Sequence, residues 1–412
     1  MSTKKAVPIV LSLILLVTML TVTSQSGKRS LKSSKIRTAT QDTATDDEKE
    51  INVASAQEEV RGVWVSYMEL DMQNETDKSA ENFRNKFEKI ALNSKEFGFN
   101  TLIVQVRPFS DALYDSEYFP YSHILSGVQG ENPGYDALKI MCEVCNNYGL
   151  SIHAWINPYR IQTKNTPQTL AETNPYELDK SIGCETDDGI YYDPSDKKAR
   201  ELIINGVVEI AENYDIDGIQ FDDYFYPTRD EAFDSDEYAE YVEEVGTNSN
   251  MSLDNWRYAN VNILICDTYR AIHSLDKEIE FGISPQGNID NNAEIYADVK
   301  SWCTCKGFVD YICPQIYFSL ENPTLTFEDC LNSWLALDFN ENVSLYVGLA
   351  GYKAGNEDYD ENTWLNTNDI LSKEYQIIKN NENIDGMMLY SYASIENKTA
   401  AQELDNLKKV LN

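Results

Sequence analysis

The sequence has little positive charge for its length. Of its 412 residues, 34 are Lys or Arg and 68 are Asp or Glu, which gives a formal net charge of −34. A surface that binds polyanions needs clustered Lys and Arg, and the only dense basic stretch is close to the N-terminus. We therefore expect no nucleic acid and no anionic membrane surface as a partner of the folded part. The acidity favours a neutral or cationic substrate, although solubility alone also explains it.

Motifs of several enzyme classes are also missing. There is no G-x-S-x-G or H-E-x-x-H sequence, so hydrolysis by a nucleophilic serine or by zinc is not indicated. The three histidines, His123, His153 and His273, are scattered, and the eight cysteines lack zinc-site spacing. A domain of this size does not need disulfides, so buried free thiols are the favoured interpretation. We expect no metal and no organic cofactor.

Residues 1–26 have the pattern of an export signal. Lys4 and Lys5 precede an apolar run over residues 6–23, as in a secretory signal peptide. The run is close to the lower length limit for spanning a bilayer, so an uncleaved N-terminal membrane anchor is the alternative. Residues 27–59 are polar and are predicted to form a disordered linker. We expect the remainder of the chain in the cell envelope or the extracellular space.

From residue 60 to residue 412, short apolar strands alternate with amphipathic segments of helical length. The eight strands are predicted at 61–66, 101–106, 151–156, the start of 217–227, 280–284, 309–313, 343–348 and 386–392. Right-handed crossovers between parallel strands close naturally into a barrel. The chain is therefore predicted to be an α/β protein with the (β/α)8 TIM-barrel fold. The rival fold is an open doubly wound sheet, but no Gly-rich phosphate-binding turn follows any strand.

Paired carboxylates end the fourth strand, in the stretch 217–227. An unpaired carboxylate is costly to bury, whereas the carboxyl ends of barrel strands carry active sites. Side chains alternate along a strand, which places Gln220 and Asp222 toward the barrel axis and Phe221 toward the helices. Carboxylate chemistry of this kind points to glycoside cleavage. Asp222 is predicted to be the nucleophile or the stabiliser of the developing cation, and Asp223 either acts with it or supports it.

Other side chains at the strand ends and on the long loops after strands two to four are expected to bind the substrate. Planar donor–acceptor groups orient sugar hydroxyls and acetamides, and aromatic rings suit flat, weakly polar ligands such as sugars. The expected substrate-binding residues are Arg107, Asp111, Asn157, Tyr159, Arg160, Tyr226, Ser284, Gln315, Tyr317 and Tyr392. Arg107 has a second interpretation, as a counter-ion that keeps Asp222 ionised.

Several motifs, in order along the chain, resemble those of the glycosyl-hydrolase-like family 10 domain. They are RGVWV at 61–65, QVRP at 105–108 with DALY at 111–114, SGVQG at 126–130 with PGYD at 133–136, HAWINPYR at 153–160, FDDYFYP at 221–227, ISPQGN at 283–288 and PQIY at 314–317. The resemblance implies an exported bacterial (β/α)8 barrel that hydrolyses glycans. It also implies, for at least some members, action on peptidoglycan strands that have lost their peptides.

The same stretch is similar to the D-G-x-D-x-D-x-E signature of chitinase-type enzymes of glycoside hydrolase family 18. Asp217, Gly218 and Asp222 match that signature, whereas Gln220 replaces an Asp and Tyr224 replaces the catalytic Glu. The resemblance implies that Asp222 orients an N-acetyl group of the substrate, which then acts as the nucleophile. The proton donor must therefore come from elsewhere. The candidates are Asp223, Glu69, Asp71, Asp111 and Asp193, with Asp223 ranked first.

Three functions remain open from the sequence. The leading hypothesis is an exported glycoside hydrolase that cleaves a cell-envelope glycan with N-acetylated sugars, namely peptide-free peptidoglycan strands. A second is a hydrolase of another extracellular polysaccharide. A third, favoured by the missing chitinase-type Glu, is a carbohydrate-binding barrel without catalytic activity.

Overall fold

The computed structural model describes residues 59–248 and 250–412. The predicted export signal or membrane anchor, and the predicted linker as far as residue 58, lie outside the described residues, so both stay predictions. Within the described ranges, no helix is both long and apolar enough to cross a membrane.

Eight parallel strands form a closed barrel, which confirms the predicted (β/α)8 fold. The strands of the described chain are β1 (Val60–Val65), β2 (Thr101–Arg107), β3 (Ser151–Ile156), β4 (Arg160–Thr163), β5 (Gly183–Thr186), β6 (Gly189–Tyr192), β7 (Gly218–Phe221), β8 (Glu280–Ile283), β9 (Tyr311–Ile312), β10 (Ser344–Ala350) and β11 (Gly386–Tyr390). Around the barrel the order is β1, β2, β3, β7, β8, β9, β10 and β11, which pairs again with β1. Strands β4 to β6 form a separate antiparallel sheet in the loop after β3.

Helices connect the barrel strands. The α-helices of the described chain are α1 (Ala80–Phe97), α2 (His123–Ser126), α3 (Ala137–Tyr148), α4 (Pro175–Leu178), α5 (Lys197–Asn213), α6 (Ser235–Val245), α7 (Leu253–His273), α8 (Val299–Thr304), α9 (Phe327–Leu335), α10 (Thr363–Asn366), α11 (Ile370–Lys379), α12 (Tyr392–Ile395) and α13 (Ala401–Leu411). Short 3-10 helices lie at Lys180–Ile182, Glu231–Phe233, Ile289–Ile295, Gly351–Lys353, Asp360–Asn362 and Lys398–Ala400. Long helices begin where a side chain accepts a hydrogen bond from a first-turn N–H, at Ser79, Asp136, Asp196, Ser252 and Thr326.

Several predicted elements differ in extent from those observed, and two of the differences have a clear local cause. The sequence pattern also predicts a helix near 293–305. In the structure this segment is divided, because Tyr296 takes a left-handed conformation (φ 55°) and Asp298 then caps α8. The last strand ends at Tyr390 rather than residue 392, because Tyr392 is already the first residue of α12. The second difference matters for the site, since strand alternation no longer decides where Tyr392 points.

Large side chains fill the inside of the barrel. One cluster contains Trp64, Ile103, Trp155, Tyr311, Cys313, Tyr346 and Met388. Gln220 is buried among them, where it accepts a hydrogen bond from Trp64 Nε1 (2.6 Å) and donates one to the Tyr311 hydroxyl (3.2 Å). That hydroxyl also lies 2.9 Å from His153 Nδ1. Burial lowers the pKa of His153 to about 4, so this histidine is a neutral, hydrogen-bonded core residue, as its position inside the third predicted strand favours.

Two strand glycines leave room for these rings. A Cβ atom at Gly218 would lie 2.5 Å from the His153 ring, and one at Gly282 would lie 2.1 Å from the Tyr311 ring. Both distances are far inside van der Waals contact. The close approach of the two rings therefore requires glycine in β7 and β8, directly below the strand ends that carry the functional side chains.

A buried ion pair ties the long loop after β7 to α7. Arg257 of α7 and Asp234 in the loop are both buried, and Arg257 Nε and Nη2 donate to the Asp234 carboxylate at 2.9 and 2.5 Å. Arg257 also donates to the carbonyl oxygens of Arg229 and Asp230. Because Asp222 is at the start of the same loop, the ion pair holds the far end of the segment that carries the paired carboxylates.

We expect Asp234→Asn to lower the free energy of unfolding by about 3–5 kcal/mol, because it leaves the Arg257 charge buried without its counter-ion. The matched control is Glu294→Gln, which breaks the exposed ion pair with Arg229 and should cost no more than about 1 kcal/mol. Urea unfolding of both variants and the parent, followed by circular dichroism, measures the two effects. Equally small effects would contradict the anchoring role of Asp234.

Candidate active site

A cavity of about 160 Å³ lies at the carboxyl ends of the barrel strands. It is lined by Trp64, Trp155, Asp222, Asp223, Tyr224, Ser284, Gln315, Tyr317 and Tyr390. These residues lie on β1, β3 and β11 or follow the ends of β7, β8 and β9. The cavity is therefore at the end of the barrel where (β/α)8 enzymes carry their active sites.

Asp222 lies in this cavity and is 4% exposed. Its Oδ2 accepts hydrogen bonds from Asn157 Nδ2 and, at 3.4 Å, from Trp155 Nε1. Its Oδ1 accepts one from the backbone N–H of Tyr224 (3.3 Å). As strand alternation predicts, the side chain points to the inside of the barrel, where three donors orient its carboxyl group.

A chain of hydrogen bonds across neighbouring strands orients Asn157. Gln105 Nε2 donates to Asn157 Oδ1 at 2.6 Å, which leaves Nδ2 of the same amide for Asp222. Gln105 Oε1 in turn accepts from the backbone N–H of Tyr67 (3.0 Å). Gln105 lies on β2 and Asn157 follows β3, the neighbour of β7. These two strands therefore determine which way the Asp222 carboxyl group faces.

The two adjacent carboxyl groups affect each other's protonation. Burial, and secondly the negative charge of Asp223, raise the pKa of Asp222 to about 7. Burial also raises the pKa of Asp223. The positive charge of Arg160 acts in the opposite direction on both groups. The pair therefore keeps a proton close to neutral pH, and that proton belongs to the pair rather than to one residue.

Asp223 turns with the loop into the cavity instead of pointing to the helices. It is more exposed than Asp222, and its Oδ1 accepts a hydrogen bond from Gln315 Nε2 (3.2 Å). Gln315 Nε2 also donates to the carbonyl oxygen of Ser284 (3.0 Å). The predicted site residues Ser284, Gln315 and Tyr317 thus lie in one cavity with both carboxylates, and Asn157 holds one of them.

Aromatic side chains form the walls. Tyr317 and Tyr390 have ring centroids 6.0 Å apart at 29°, and Trp64 and Trp155 both contact Tyr390 edge-on. The residues expected to bind substrate did not include Trp64, Trp155 or Tyr390. The strand alternation that places Gln220 and Asp222 inside the barrel also indicates these positions. Trp155 is two residues before Asn157 and Tyr390 is two residues after Met388, so each pair of side chains is expected on the same face of its strand.

The placement of Arg107 corrects the prediction that it binds substrate. The pairing of β2 with β3 is irregular between Gln105 and Arg107, and this bulge turns Arg107 to the outside of the barrel. Its side chain is buried there, with the guanidinium carbon 4.4 Å from the centroid of Phe119. Nor is Arg107 the counter-ion of Asp222, since the cation that lowers that pKa is Arg160.

Four further predicted binding residues are buried outside the cavity. Asp111 is bound by His123 Nδ1 (3.1 Å) and Gln129 Nε2 (3.0 Å). Tyr159 and Tyr226 are within the core beside the loops, each 2% exposed or less. The Tyr392 hydroxyl accepts a hydrogen bond from Asn93 of α1 (2.9 Å). These positions do not allow contact with a substrate in the cavity.

The other candidate proton donors are also outside the cavity. Both oxygens of Glu69 are taken up by donors from Ser66, Ser391 and the backbone N–H of Ala393. The Asp71 carboxylate accepts a hydrogen bond from the backbone N–H of Gln73 in the same turn. Asp193 is buried and accepts from the Ser195 N–H, and burial raises its pKa to about 6. Among the described residues, Asp222 and Asp223 are thus the carboxylates that line the cavity.

The eight cysteines are free thiols, five of them buried. Across residues 59–248 and 250–412, no three His, Cys, Asp or Glu side chains are grouped as metal ligands would be.

Comparison with known proteins identifies close sequence relatives. A family model described as Glycosyl hydrolase-like 10 matches residues 59–366. Glycosyl hydrolase YngK of Bacillus subtilis (strain 168) is 33% identical over 321 residues, which are 74% of this chain and 62% of that protein. Glycosyl hydrolase DigH of Escherichia coli (strain K12) is 27% identical over 368 residues, 80% of this chain and 82% of that protein.

Solved structures are similar in fold at low sequence identity. The PgaB (BpsB) glycoside hydrolase domain from Bordetella bronchiseptica matches with a TM-score of 0.55 at 10% identity and covers 86% of this chain and 99% of that chain. An alpha-amylase from Geobacillus thermoleovorans matches with a TM-score of 0.50 at 10% identity, over 86% of this chain and 77% of that chain. These likenesses support the barrel fold and nothing finer.

The raised pKa of Asp222 predicts a pH-dependent cost of folding. Its pKa is about 7 in the folded protein against an ordinary 3.8, so the stability that its protonated form contributes is lost as the pH rises toward 7. Asp222→Asn removes this loss. The variant's free energy of unfolding relative to the parent should increase by about 2–3 kcal/mol between pH 5 and pH 8, at about 1.4 kcal/mol per pH unit.

Urea unfolding at the two pH values measures this difference. The control is Asp187→Asn, at an exposed position outside the cavity. The difference in free energy of unfolding between this variant and the parent should be the same at both pH values. Parallel behaviour of Asp222→Asn and the parent would mean that the carboxyl group is ionised throughout.

Proposed function

The chain belongs to the glycosyl hydrolase-like 10 family, and we propose that it is a glycoside hydrolase that cleaves a cell-envelope glycan. The proposed substrate is peptidoglycan that has lost its peptides, in which the sugars are N-acetylated. The observation that carries the proposal is the adjacent pair of Asp222 and Asp223 in an aromatic cavity at the carboxyl end of the barrel. Glycoside hydrolases use two carboxyl groups, one to give a proton and one to act as an anion.

The environment of each carboxyl group supports a division of roles. Asp222 is the deeper group, and its donors Asn157 and Trp155 fix its orientation. It is suited to hold an acetamide or to stabilise the positive charge that develops on the sugar. Asp223 is more exposed and is oriented by Gln315, so it is the better placed to reach a glycosidic oxygen. A pair that shares one proton near neutral pH can supply both an acid and an anion.

The shape and lining of the cavity support an N-acetylated sugar. A space of about 160 Å³ is small, and it is enclosed by the rings of Trp64, Trp155, Tyr317 and Tyr390. Aromatic faces pack against the apolar faces of sugar rings and acetamide methyl groups. Amide and hydroxyl groups of Gln315 and Ser284 remain for the polar atoms of the substrate.

The proposed location is the cell envelope or the extracellular space. The basic residues Lys4 and Lys5 and the apolar run at 6–23 support export. In the alternative with an uncleaved anchor, the polar stretch that follows would tether the barrel to the membrane and let it reach a glycan. Both versions give the protein access to envelope polysaccharide.

We expect the purified full-length protein to release products from peptide-free peptidoglycan strands. Asp222→Asn and Asp223→Asn should each lower kcat/KM by about a hundredfold or more, the effect of removing a catalytic acid, base or anion. Asp71→Asn is the control, since Asp71 is outside the cavity. Chitin oligosaccharides and xylan, assayed in parallel, distinguish this substrate from other polysaccharides.

Two results would contradict the proposal. Binding of all three glycans without product release would favour a non-catalytic carbohydrate-binding barrel. Faster turnover of xylan than of the peptide-free strands would favour a hydrolase of another extracellular polysaccharide.

A further inference from the structure

A second space adjoins the catalytic cavity. It measures about 720 Å³, more than four times the 160 Å³ of the cavity, and Asp223 and Tyr224 line both. The β4–β6 sheet and the loop after β7 contribute most of its other walls, including Lys164, Tyr191 and Tyr226. We call this second space the trough. It gives room for further sugar units of a chain whose reacting bond lies at Asp223.

Two positively charged side chains lie close to the place where the cavity and the trough meet, in a chain whose net charge is −34. Arg160 begins β4, and its guanidinium carbon lies 5.5 Å from the centroid of Tyr224, the ring shared by the cavity and the trough. Lys164 follows the end of β4, is exposed and lines the trough. These two cations lie beside the carboxylates of Asp188 and Asp223, which line the same space.

The contacts that hold the Arg160 side chain in place do not involve the two terminal nitrogens of its guanidinium group. Its Nε donates to the carbonyl oxygen of Pro108 at 2.7 Å, and its guanidinium carbon lies 4.9 Å from the centroid of Phe109. In the described part of the chain, its two terminal nitrogens make no hydrogen bond and no ion pair within 4 Å. The side chain is partly exposed. A planar pair of donors is thus left without a partner among the described residues, beside the Tyr224 ring, although Arg160 is not itself among the residues that line the cavity or the trough. Such a pair has the geometry that binds a carboxylate with two parallel hydrogen bonds.

We propose that Arg160 binds a free carboxylate on a sugar unit of the substrate, with Lys164 as a second positive charge further along the trough. This inference rests on the proposed function and explains a preference for strands without peptides. In such strands one N-acetylated sugar carries an ether-linked acid whose carboxylate is free. An attached peptide converts that carboxylate to a neutral amide, which removes the charge that Arg160 would bind.

A simpler role for Arg160 must be separated from this one. Its positive charge lowers the pKa of both Asp222 and Asp223, so it also acts on the catalytic pair. Loss of that effect would change turnover of every substrate to the same degree. Loss of a carboxylate contact would change only substrates that carry the charge, and would raise KM more than it lowers kcat.

The experiment compares two forms of one glycan with the full-length protein. One is peptide-free peptidoglycan with its carboxylates intact, and the other is the same material with the carboxyl groups reduced to alcohols. We expect the parent to have a KM about ten- to a hundredfold lower for the charged strands than for the reduced strands. This factor corresponds to the affinity that one charge-assisted hydrogen-bonded pair contributes. Added salt should raise KM for the charged strands and leave that for the reduced strands unchanged.

Variants then assign the effect to the residue. Arg160→Gln should abolish the preference by raising KM for the charged strands alone. Arg160→Lys should retain part of it, because lysine keeps the charge but lacks the planar pair of donors. Arg84→Gln is the control, as Arg84 is on α1 and pairs with Glu143 of α3. Thermal unfolding of each variant verifies that it is folded.

The outcomes separate this inference from the function on which it rests. Hydrolysis of both strands by the parent with equal KM would overturn the role of Arg160 and leave the hydrolase intact. An equal loss of kcat on both strands in Arg160→Gln, with the KM preference for the charged strands retained, would also overturn it, in favour of an effect on the carboxylate pair alone. Absence of hydrolysis of either strand by the parent would remove the proposed function itself.

Discussion

The burial of the Asp222 carboxyl group is the constraint on which the site depends. An ionised carboxylate that is 4% exposed is costly unless donors surround it, and the barrel supplies them from adjacent strands. Asn157 and Trp155 come from β3, and the backbone N–H of Tyr224 comes from the loop after β7 itself. Gln105 on β2 orients Asn157. Even with three donors, burial and the charge of Asp223 raise the pKa of Asp222 to about 7. The result is a carboxyl group that is fixed in direction but not fixed in charge, which is useful to an acid–base enzyme.

The barrel was predictable because its causes are local and repeated. Each strand is a short apolar run, each helix has an apolar face and most long helices start at a capping side chain, so the eight units can be read one after another. The inward direction of Asp222 was predictable for the same reason, since alternation depends only on the strand that carries it. The antiparallel sheet β4–β6 was not expected, because its strands have four residues each and lie within a long polar loop.

The errors at the site come from interruptions of that regularity. A bulge in β2 turns Arg107 outward, and the end of β11 at Tyr390 lets Tyr392 point to α1. Neither interruption has a sequence signal as clear as the alternation it breaks. Asp111 and Tyr159 were expected at the cleft because they are on long loops, but long loops need cores of their own. Tyr159, for example, packs against Phe225 with ring centroids 6.5 Å apart. What a sequence pattern cannot state is whether a loop residue faces the cleft or the inside of its own loop.

Tyr224 decides how the proton must be supplied. It occupies the position at which chitinase-type enzymes carry their catalytic Glu, and burial together with the two neighbouring carboxylates raises its pKa to about 12. A phenol with that pKa holds its proton too tightly to be an efficient acid near neutral pH. Its residue instead lines both the cavity and the trough, and its ring lies beside Arg160. The proton then has to come from the neighbouring carboxyl groups, and placing two of them in sequence at one strand end is what makes that possible. Burial, and secondly the negative charge of Asp223 on Asp222, keeps one proton on the pair at a pH where an isolated, exposed Asp has lost its own.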